Sequence, residues 1–393
     1  MRRVAILGST GSIGRQTLEV IAAHPERFSV AALAAGENIE LLAQQARSWQ
    51  PQVLSVASSE TASALRQRLP HPLPRIEHGE DGLVACALEA EADIVVAATD
   101  GMVALRAVFE SVSRGLHVAL ANKELLVAAG HIICRLARST GARIVPVDSE
   151  HSALFQCLAG EQPEDVKSVI LTASGGPFWE WSLERMEKAT PEDALAHPKW
   201  RMGAKNTLDS ASLMNKGLEV IEASSLFSLP PASIEVVVHR QSVVHGFVIF
   251  RDGNVKAQLA SPDMRLPIGY ALAYPQRLPA AVAEADTRAA IGLGGAATTL
   301  TFEPVDDVRF PSVRLAYRAL ALGGTYPAVL SAANEEAGRA FLRKQIKFTQ
   351  IHPIVESVLE NHLPAGDDLE DVLSADRTGR EQVRDAIRAS LHR

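Results

Sequence analysis

The stretch RIVPVDSEHSALF, residues 143–155, sets two carboxylates and an imidazole where an apolar run ends: Asp148, Ser149, Glu150 and His151 follow Ile144, Val145 and Val147. On extended chain, residues two apart point to one side. Two carboxylates held that way call for a cation or a shared proton. An all-oxygen donor set favours Mg²⁺ or Mn²⁺ over zinc. His151 would point to the opposite side and is expected to be structural. The plainer alternative is a helix start with Asp148 or Ser149 as its N-cap.

A second constellation lies in NTLDSASLMNKGLEVIEA, residues 206–223. Asp209 or Ser210 is expected to cap a helix. Ser212, Asn215, Lys216 and Glu219 then fall at i, i+3, i+4 and i+7, on one face. A solvated face is the default for such a stripe. Here Leu213, Met214, Gly217, Leu218, Val220 and Ile221 make the other faces apolar, as in a buried helix, so the stripe is expected to line a cavity. Ser, Asn and Lys near a helix start suit a phosphate, and Glu219 offers a third carboxylate to Asp148 and Glu150. Ser174, Gly175 and Gly176 follow a strand-like run and read as an anion nest. Trp179, Trp181 and Trp200 sit in a long irregular segment, either as a lid over the site or as a small satellite core.

These residues need a scaffold. Strand-like runs at 4–7, 30–34, 53–56, 94–98, 118–121 and 144–147 alternate with amphipathic or Ala-rich segments, which predicts a parallel sheet covered by helices. GSTGSIG, with Gly8, Gly11 and Gly14, lies between the first strand and the helical run RQTLEVIAAH. Its spacing is GxxGxxG rather than GxGxxG. It still supplies small residues for a tight turn and backbone amides for a pyrophosphate at a helix start. The second strand ends at Gly36, Glu37 and Asn38, where a Rossmann-type fold meets the adenosine ribose. An acid there favours the free 2′-hydroxyl of NAD; a solvent-facing turn explains it equally well. Later strands end on Thr99, Asp100 and Gly101, on Asn122, Lys123 and Glu124, and on Asp148, Ser149 and Glu150. In an open parallel sheet these clusters share one edge with the glycine loop.

Bulk properties narrow the class. A chain of 393 residues exceeds one ordinary core, and 47% hydrophobic with 22% charged residues is globular composition. A net charge of −7 argues against nucleic acid as a partner. No apolar stretch has the length of a membrane span, and the three cysteines are scattered without a CxxC. A soluble, cytoplasmic protein is expected.

GSTGSIG, ANKE, VDSEHSA, SGGPF, HPKWRMG, DSASLMNKGLE, HRQSVVHG and SPDMR occur in an order and spacing that resembles the 1-deoxy-D-xylulose 5-phosphate reductoisomerase family. The helical tail with SAANEEAGRAFL is similar to its C-terminal domain. The resemblance implies an NADPH- and divalent-metal-dependent enzyme. It rearranges the skeleton of 1-deoxy-D-xylulose 5-phosphate and reduces the product to 2-C-methyl-D-erythritol 4-phosphate, a step of non-mevalonate isoprenoid synthesis. It implies Asp148, Glu150 and Glu219 as ligands of Mg²⁺ or Mn²⁺, with Lys123, Glu150 and Glu219 also in reach of the substrate. Lys123 and Glu150 are the implied catalytic groups. Ser149, Ser174, Ser210, Asn215 and Lys216 would bind the substrate, with His197, Trp200 and Met202 on a mobile flap. Thr10, Gly11, Ser12, Ile13, Gly36, Glu37, Asn38, Asn122, Glu124 and Gly203 are the implied cofactor positions. The family commonly has a basic residue where this chain has Glu37.

The fold expected is α/β, with a Rossmann-like domain at 1–148, a catalytic α+β domain with the flap at 149–285, a linker at 286–302 and a helical domain at 303–393. The segment 234–260 is expected to give two or three strands with a turn at Asp252 and Gly253. The resemblance implies a homodimer. Two rivals stay open: a metal-assisted dehydrogenase that does not rearrange carbon, and a nucleotide-sensing module without catalysis. A thiohemiacetal-type aldehyde dehydrogenase is disfavoured, because no cysteine stands among the site motifs.

Overall fold

Short runs of Val, Ala, Ile and Leu, too brief for buried helices, pair side by side in the first part of the chain. The computed structural model describes all residues except 198–201, 280–287, 290, 293–298, 365 and 392–393. Seven strands form one parallel sheet: β1 (Arg2–Leu7), β2 (Phe28–Ala34), β3 (Val53–Val56), β4 (Arg75–His78), β5 (Ile94–Ala97), β6 (His117–Leu120) and β7 (Arg143–Pro146). Their order is β4-β3-β2-β1-β5-β6-β7. The chain winds outward from β1 to β4 and returns to β5 beside β1, so the crevice of this doubly wound sheet opens between β1 and β5. Six strands lie where the sequence places them. The edge strand β4 escaped because Ile76 is its one buried residue, too little for a hydrophobic pattern.

The turn after β1 stands at that crevice and admits no side chain at two of its positions. Gly8 has φ +98°, and a Cβ on it would lie 2.3 Å from the Ala98 carbonyl oxygen. A Cβ on Gly14 would lie 2.2 Å from the Gly8 carbonyl oxygen. Backbone occupies both places, so glycine at 8 and at 14 is a packing requirement, whereas a Cβ on Gly11 would come no closer than 3.4 Å to another atom.

A second sheet contains β8 (Val166–Ala173), β9 (Ile234–Val238), β10 (Val244–Phe250), β11 (Val255–Leu259) and β12 (Glu303–Pro304), in the order β11-β10-β8-β9-β12. β8 and β9 run parallel and the other pairs antiparallel. The β10–β11 hairpin turns at Asp252 and Gly253, the latter with φ +89°. Helix Met214–Phe227 shares its core with the tail helices Ser312–Leu322, Tyr326–Leu342, Ile351–Glu360 and Leu369–Leu391, through Leu218, Ile221, Ala316, Val329 and Phe341.

Two compact units result, and neither is a continuous stretch of chain. The first holds Met1–Leu125, Ile133–Ser152 and Asp263–Asp286; the second holds Leu126–Ile132, Ala153–Pro262 and Thr287–Arg393. This differs from the consecutive 1–148, 149–285 and 303–393 expected from sequence, for a packing reason. Helix Arg265–Ala273 packs back on helix Ser12–Ala23, with Arg265 3.8 Å from Glu19 and Arg2 donating to the Leu272 carbonyl. The tail helices complete the core around Met214–Phe227 rather than one of their own. Part of the expected linker 286–302 lies outside the described residues. Among the described residues no helix is long and apolar enough to cross a membrane.

Candidate active site

Each unit carries its own set of polar groups. In the first unit they follow the carboxyl ends of the parallel strands. Gly11 precedes helix Ser12–Ala23 and offers no side-chain cap to its first-turn amides. Ser9 is fully buried, its hydroxyl donating to Gln45 at 2.7 Å while the Gln45 amide donates back to the Ser9 carbonyl at 2.9 Å. Gln45, which sequence reading missed, thus pins the glycine turn; its polar place on the buried side of an amphipathic helix was the available signal. Thr10, Gly11, Ser12 and Ile13 are left at least partly exposed at the turn.

Past β2, Gly36, Glu37 and Asn38 are exposed. Asn38 caps helix Ile39–Trp49, its Oδ1 accepting from the Leu41 amide at 3.2 Å. Asn122 is likewise a cap: its Oδ1 accepts from the Leu125 amide, and its Nδ2 donates to the Thr99 and Gly101 carbonyls at 2.7 Å each. That amide ties the loops after β5 and β6 together. Glu124 is buried in the first turn of helix Lys123–Thr140.

The acidic cluster corrects the sequence reading in one respect. β7 ends at Pro146 and helix Ser149–Cys157 begins at Ser149, so Asp148 and Glu150 do not sit on extended chain and strand alternation does not align them. Asp148 is the N-cap: its Oδ1 accepts from the amides of Glu150 (3.1 Å) and His151 (3.3 Å). The same oxygen meets His151 Nδ1 at 2.9 Å, and Oδ2 meets Lys123 Nζ at 3.0 Å. His151 is fully buried and Lys123 nearly so. The capped start and the charged site are therefore one feature. Ser149 Oγ donates to Glu150 Oε2 at 2.6 Å.

In the second unit, Lys216 and Glu219 are buried on helix Met214–Phe227, and both Lys216 Nζ and Asn215 Nδ2 donate to the Glu219 carboxylate. The expected buried helix with a polar stripe is present. Its start is not capped by Asp209 or Ser210: both belong to the preceding helix Ala204–Ala211, and the break falls at Leu213 with φ +56°. Asp209 is instead a buried tie, accepting from Asn334 at 2.7 Å and pairing with Lys205 at 2.9 Å. Ser210 lies against the nest, because a Cβ on Gly176 (φ +66°) would fall 2.3 Å from the Ser210 carbonyl oxygen. Ser174 Oγ accepts from the Gly176 amide at 3.3 Å and contacts His197 Nε2 at 3.0 Å. Burial pushes the His197 imidazole down to about 4, so it is neutral at pH 7. Gly203 precedes helix Ala204–Ala211 and is exposed.

The tryptophans divide. Trp179 stacks on Phe310 at 5.5 Å, and Trp181 lies 4.5 Å from Phe178 with Arg185 over its ring. Both are parts of the core rather than a lid. Trp200 lies outside the described residues.

Comparison with known proteins covers almost the whole chain. Residues 4–130 match the family model described as 1-deoxy-D-xylulose 5-phosphate reductoisomerase. Residues 144–227 and 259–382 match models of C-terminal domains of the same enzyme. The chain is 50% identical over 388 residues to the 1-deoxy-D-xylulose 5-phosphate reductoisomerase of Geobacter metallireducens, covering 98% of this chain and 99% of that one. It is similar to the solved structure of the Zymomonas mobilis reductoisomerase in complex with NADPH (TM-score 0.90, 40% identity, 98% and 99% of the two chains). A second reductoisomerase structure, in complex with NADPH, fosmidomycin and magnesium, aligns with TM-score 0.91 at 35% identity over 99% and 98% of the chains.

The Lys216–Glu219 pair generates a test of its own. Removing one member of a buried ion pair strands the other charge, at about 3 kcal/mol or more, whereas replacing both with apolar groups is far milder. Lys216→Met is expected to lower the unfolding free energy by that order, and Lys216→Met with Glu219→Met to recover most of it. Urea unfolding of the three proteins checks this; equal loss in single and double variants would mean that the pair is not coupled.

Proposed function

This chain belongs to the 1-deoxy-D-xylulose 5-phosphate reductoisomerase family, and from that premise we infer how its residues divide the work. It is an NADPH- and divalent-metal-dependent enzyme that converts 1-deoxy-D-xylulose 5-phosphate into 2-C-methyl-D-erythritol 4-phosphate in isoprenoid biosynthesis. The observation that carries the reading is the Asp148 constellation within a chain matched nearly end to end.

The residues fit both implied cofactors. A turn in which Gly8 and Gly14 leave no room for a Cβ, leading into a helix without a side-chain cap, suits the NADPH pyrophosphate at Thr10, Gly11, Ser12 and Ile13. Asp148, Glu150 and Glu219 supply hard oxygen donors and would hold Mg²⁺ or Mn²⁺. When bound, the metal offers Lewis acidity toward the substrate's ketone and neighbouring hydroxyl oxygens, and NADPH offers the hydride.

The chain's own groups do the rest. Lys123, buried and held by Asp148, keeps a positive charge at the strand edge for oxygen that gains negative charge during rearrangement. Glu150 moves the proton of the substrate hydroxyl, its carboxylate oriented by the Ser149 hydroxyl. Ser174, Ser210, Asn215 and Lys216 bind the phosphate and hydroxyl groups. His197, being neutral, contributes a hydrogen bond rather than a charge. Trp200 and Gly203 are assigned to the flap and its cofactor contact on the family resemblance. Asn122, which holds the loops after β5 and β6, and Glu124 are assigned to the cofactor side on the family resemblance. In this reading, residues 1–148 serve the cofactor and 149–285 the substrate. We place the enzyme in the cytoplasm on its composition.

Three tests follow. With Mg²⁺, NADPH and 1-deoxy-D-xylulose 5-phosphate, ¹³C NMR should find the rearranged skeleton; simple reduction of the ketone would favour the dehydrogenase reading. In the same assay Glu150→Gln should lower kcat at least 100-fold while NADPH still binds, and near-normal turnover would remove Glu150 from the proton transfer.

Glu37 is exposed, free to turn into water, and salt screens its repulsion of a 2′-phosphate. NADPH should therefore be preferred to NADH, but by less than in Glu37→Lys, which lowers the KM for NADPH and leaves that for NADH unchanged. Comparing kcat/KM for both cofactors at fixed ionic strength decides it; a wild-type preference for NADH would overturn the assignment.

We also propose a homodimer through β11, the outer strand of its sheet, where Val255 is 55% and Leu259 37% exposed. Sedimentation equilibrium should give twice the chain mass, and Val255→Lys should shift it toward one.

A further inference from the structure

The first sheet has a second charged edge, opposite the one that carries the chemistry. Where β1, β2 and β7 begin, Arg2, Arg27 and Arg143 line one cavity of about 360 Å³, walled also by Phe28, Tyr274 and Gln276. Among the described residues no carboxylate lies within ion-pair distance of any of the three. Arg2 is spent on structure: it donates to the Leu272 carbonyl at 2.7 Å and meets His117 Nδ1 at 2.6 Å. Arg27 donates to the side chain of Gln276. The Arg143 side chain has no hydrogen-bond partner among the described residues and is exposed.

The neighbouring titratable groups do not cancel this charge. Burial, then the charges of Arg2 and Arg143, push the His117 imidazole down to about 4, so it accepts from Arg2 as a neutral ring. The nearest acid acting on Arg2 is Asp93, whose Oδ2 already accepts from the Arg3 amide at 2.7 Å. Arg2 itself is held below the ordinary guanidinium value by burial and by the like charges of Arg143 and Arg27, against the pull of Asp93. The chain as a whole carries −7, so three converging guanidiniums are not a by-product of a basic surface.

Guanidinium forks match phosphoryl oxygens two at a time. A cavity of this volume is at the lower end of the range for small-molecule sites and exceeds what one phosphate fills. We propose that this cleft binds a compact diphosphate anion, with Arg27 and Arg143 as its ligands and Arg2 as a fixed positive wall. None of its lining residues is among those assigned to the substrate or cofactor.

Inorganic pyrophosphate is the probe, titrated calorimetrically into the full chain in buffer with EDTA, so that no metal pyrophosphate forms. Wild type should bind one equivalent. Arg27→Gln and Arg143→Gln should each weaken binding about tenfold or more, with turnover in the absence of pyrophosphate unchanged. Ser174→Ala serves as the counter-variant and should bind as wild type. Loss of binding in Ser174→Ala with the arginine variants unaffected would place pyrophosphate at the substrate's phosphate position and overturn the proposal. Absence of heat at millimolar pyrophosphate in wild type would overturn it as well. The Arg143 side chain is exposed and makes no hydrogen bond to a described residue, so its replacement does not threaten folding.

Discussion

One carboxylate orders the chemistry of the first unit. Asp148 caps helix Ser149–Cys157, holds a fully buried His151 and neutralises a nearly buried Lys123, and both of its oxygens are engaged. A carboxylate accepting charged and backbone donors at once has a fixed orientation. The sheet register makes this possible: β6 pairs with β7 so that Leu120 stands opposite Pro146. Lys123 and Asp148, three and two residues past those partners, leave adjacent strands side by side. Strand pairing sets the distance between a lysine and an aspartate 25 positions apart, and the helix start then aims Glu150 and His151.

A steric constraint does at the crevice what electrostatics does at Asp148. The Gly8 turn fits only because two positions lack a Cβ, one facing the Ala98 carbonyl and one facing the turn itself. The buried Ser9–Gln45 exchange closes it from the other side. A turn fixed this way presents backbone amides without first having to order itself, which is the preorganisation an anion site needs.

Much of this was legible in the residues, and the exceptions have causes. Six strands were readable because each carries a run of apolar residues, nearly continuous where both faces of the strand are buried; the outer strand β7 kept such a run in Ile144 and Val145, continued by Val147. The buried helix with a polar stripe was readable because Leu213, Met214, Leu218, Val220 and Ile221 leave few faces for water. The Asp148 cluster was read with the right residues and the wrong local geometry: the extended-chain argument failed because the helix begins one residue after the cap. Asp209 looked like a cap by type, yet its partner Asn334 is 125 positions away, and such a tie leaves no local signature. Helix Arg265–Ala273 packs with the first unit through long-range contacts that no periodicity encodes. Trp179 and Trp181 sit among charged residues in sequence, but Arg185 and Arg309 lie over their rings, which is how cationic neighbours and a core coexist.

The distribution of charge around the three assigned carboxylates bears on what a metal does for this protein. Asp148 pairs with Lys123, and Glu219 with Lys216, each lysine coming from the same unit as its carboxylate. Buried acids without such partners would need a cation before the surrounding core could form. Here the chain provides one in each unit, so burial of the acids does not wait on a bound ion. This separates the protein from small domains in which metal binding is the folding free energy. The same lysines hold the carboxylates in place. Each carboxylate is therefore fixed within its own unit by the polypeptide, and a divalent metal held by them would contribute to the reaction rather than to the fold.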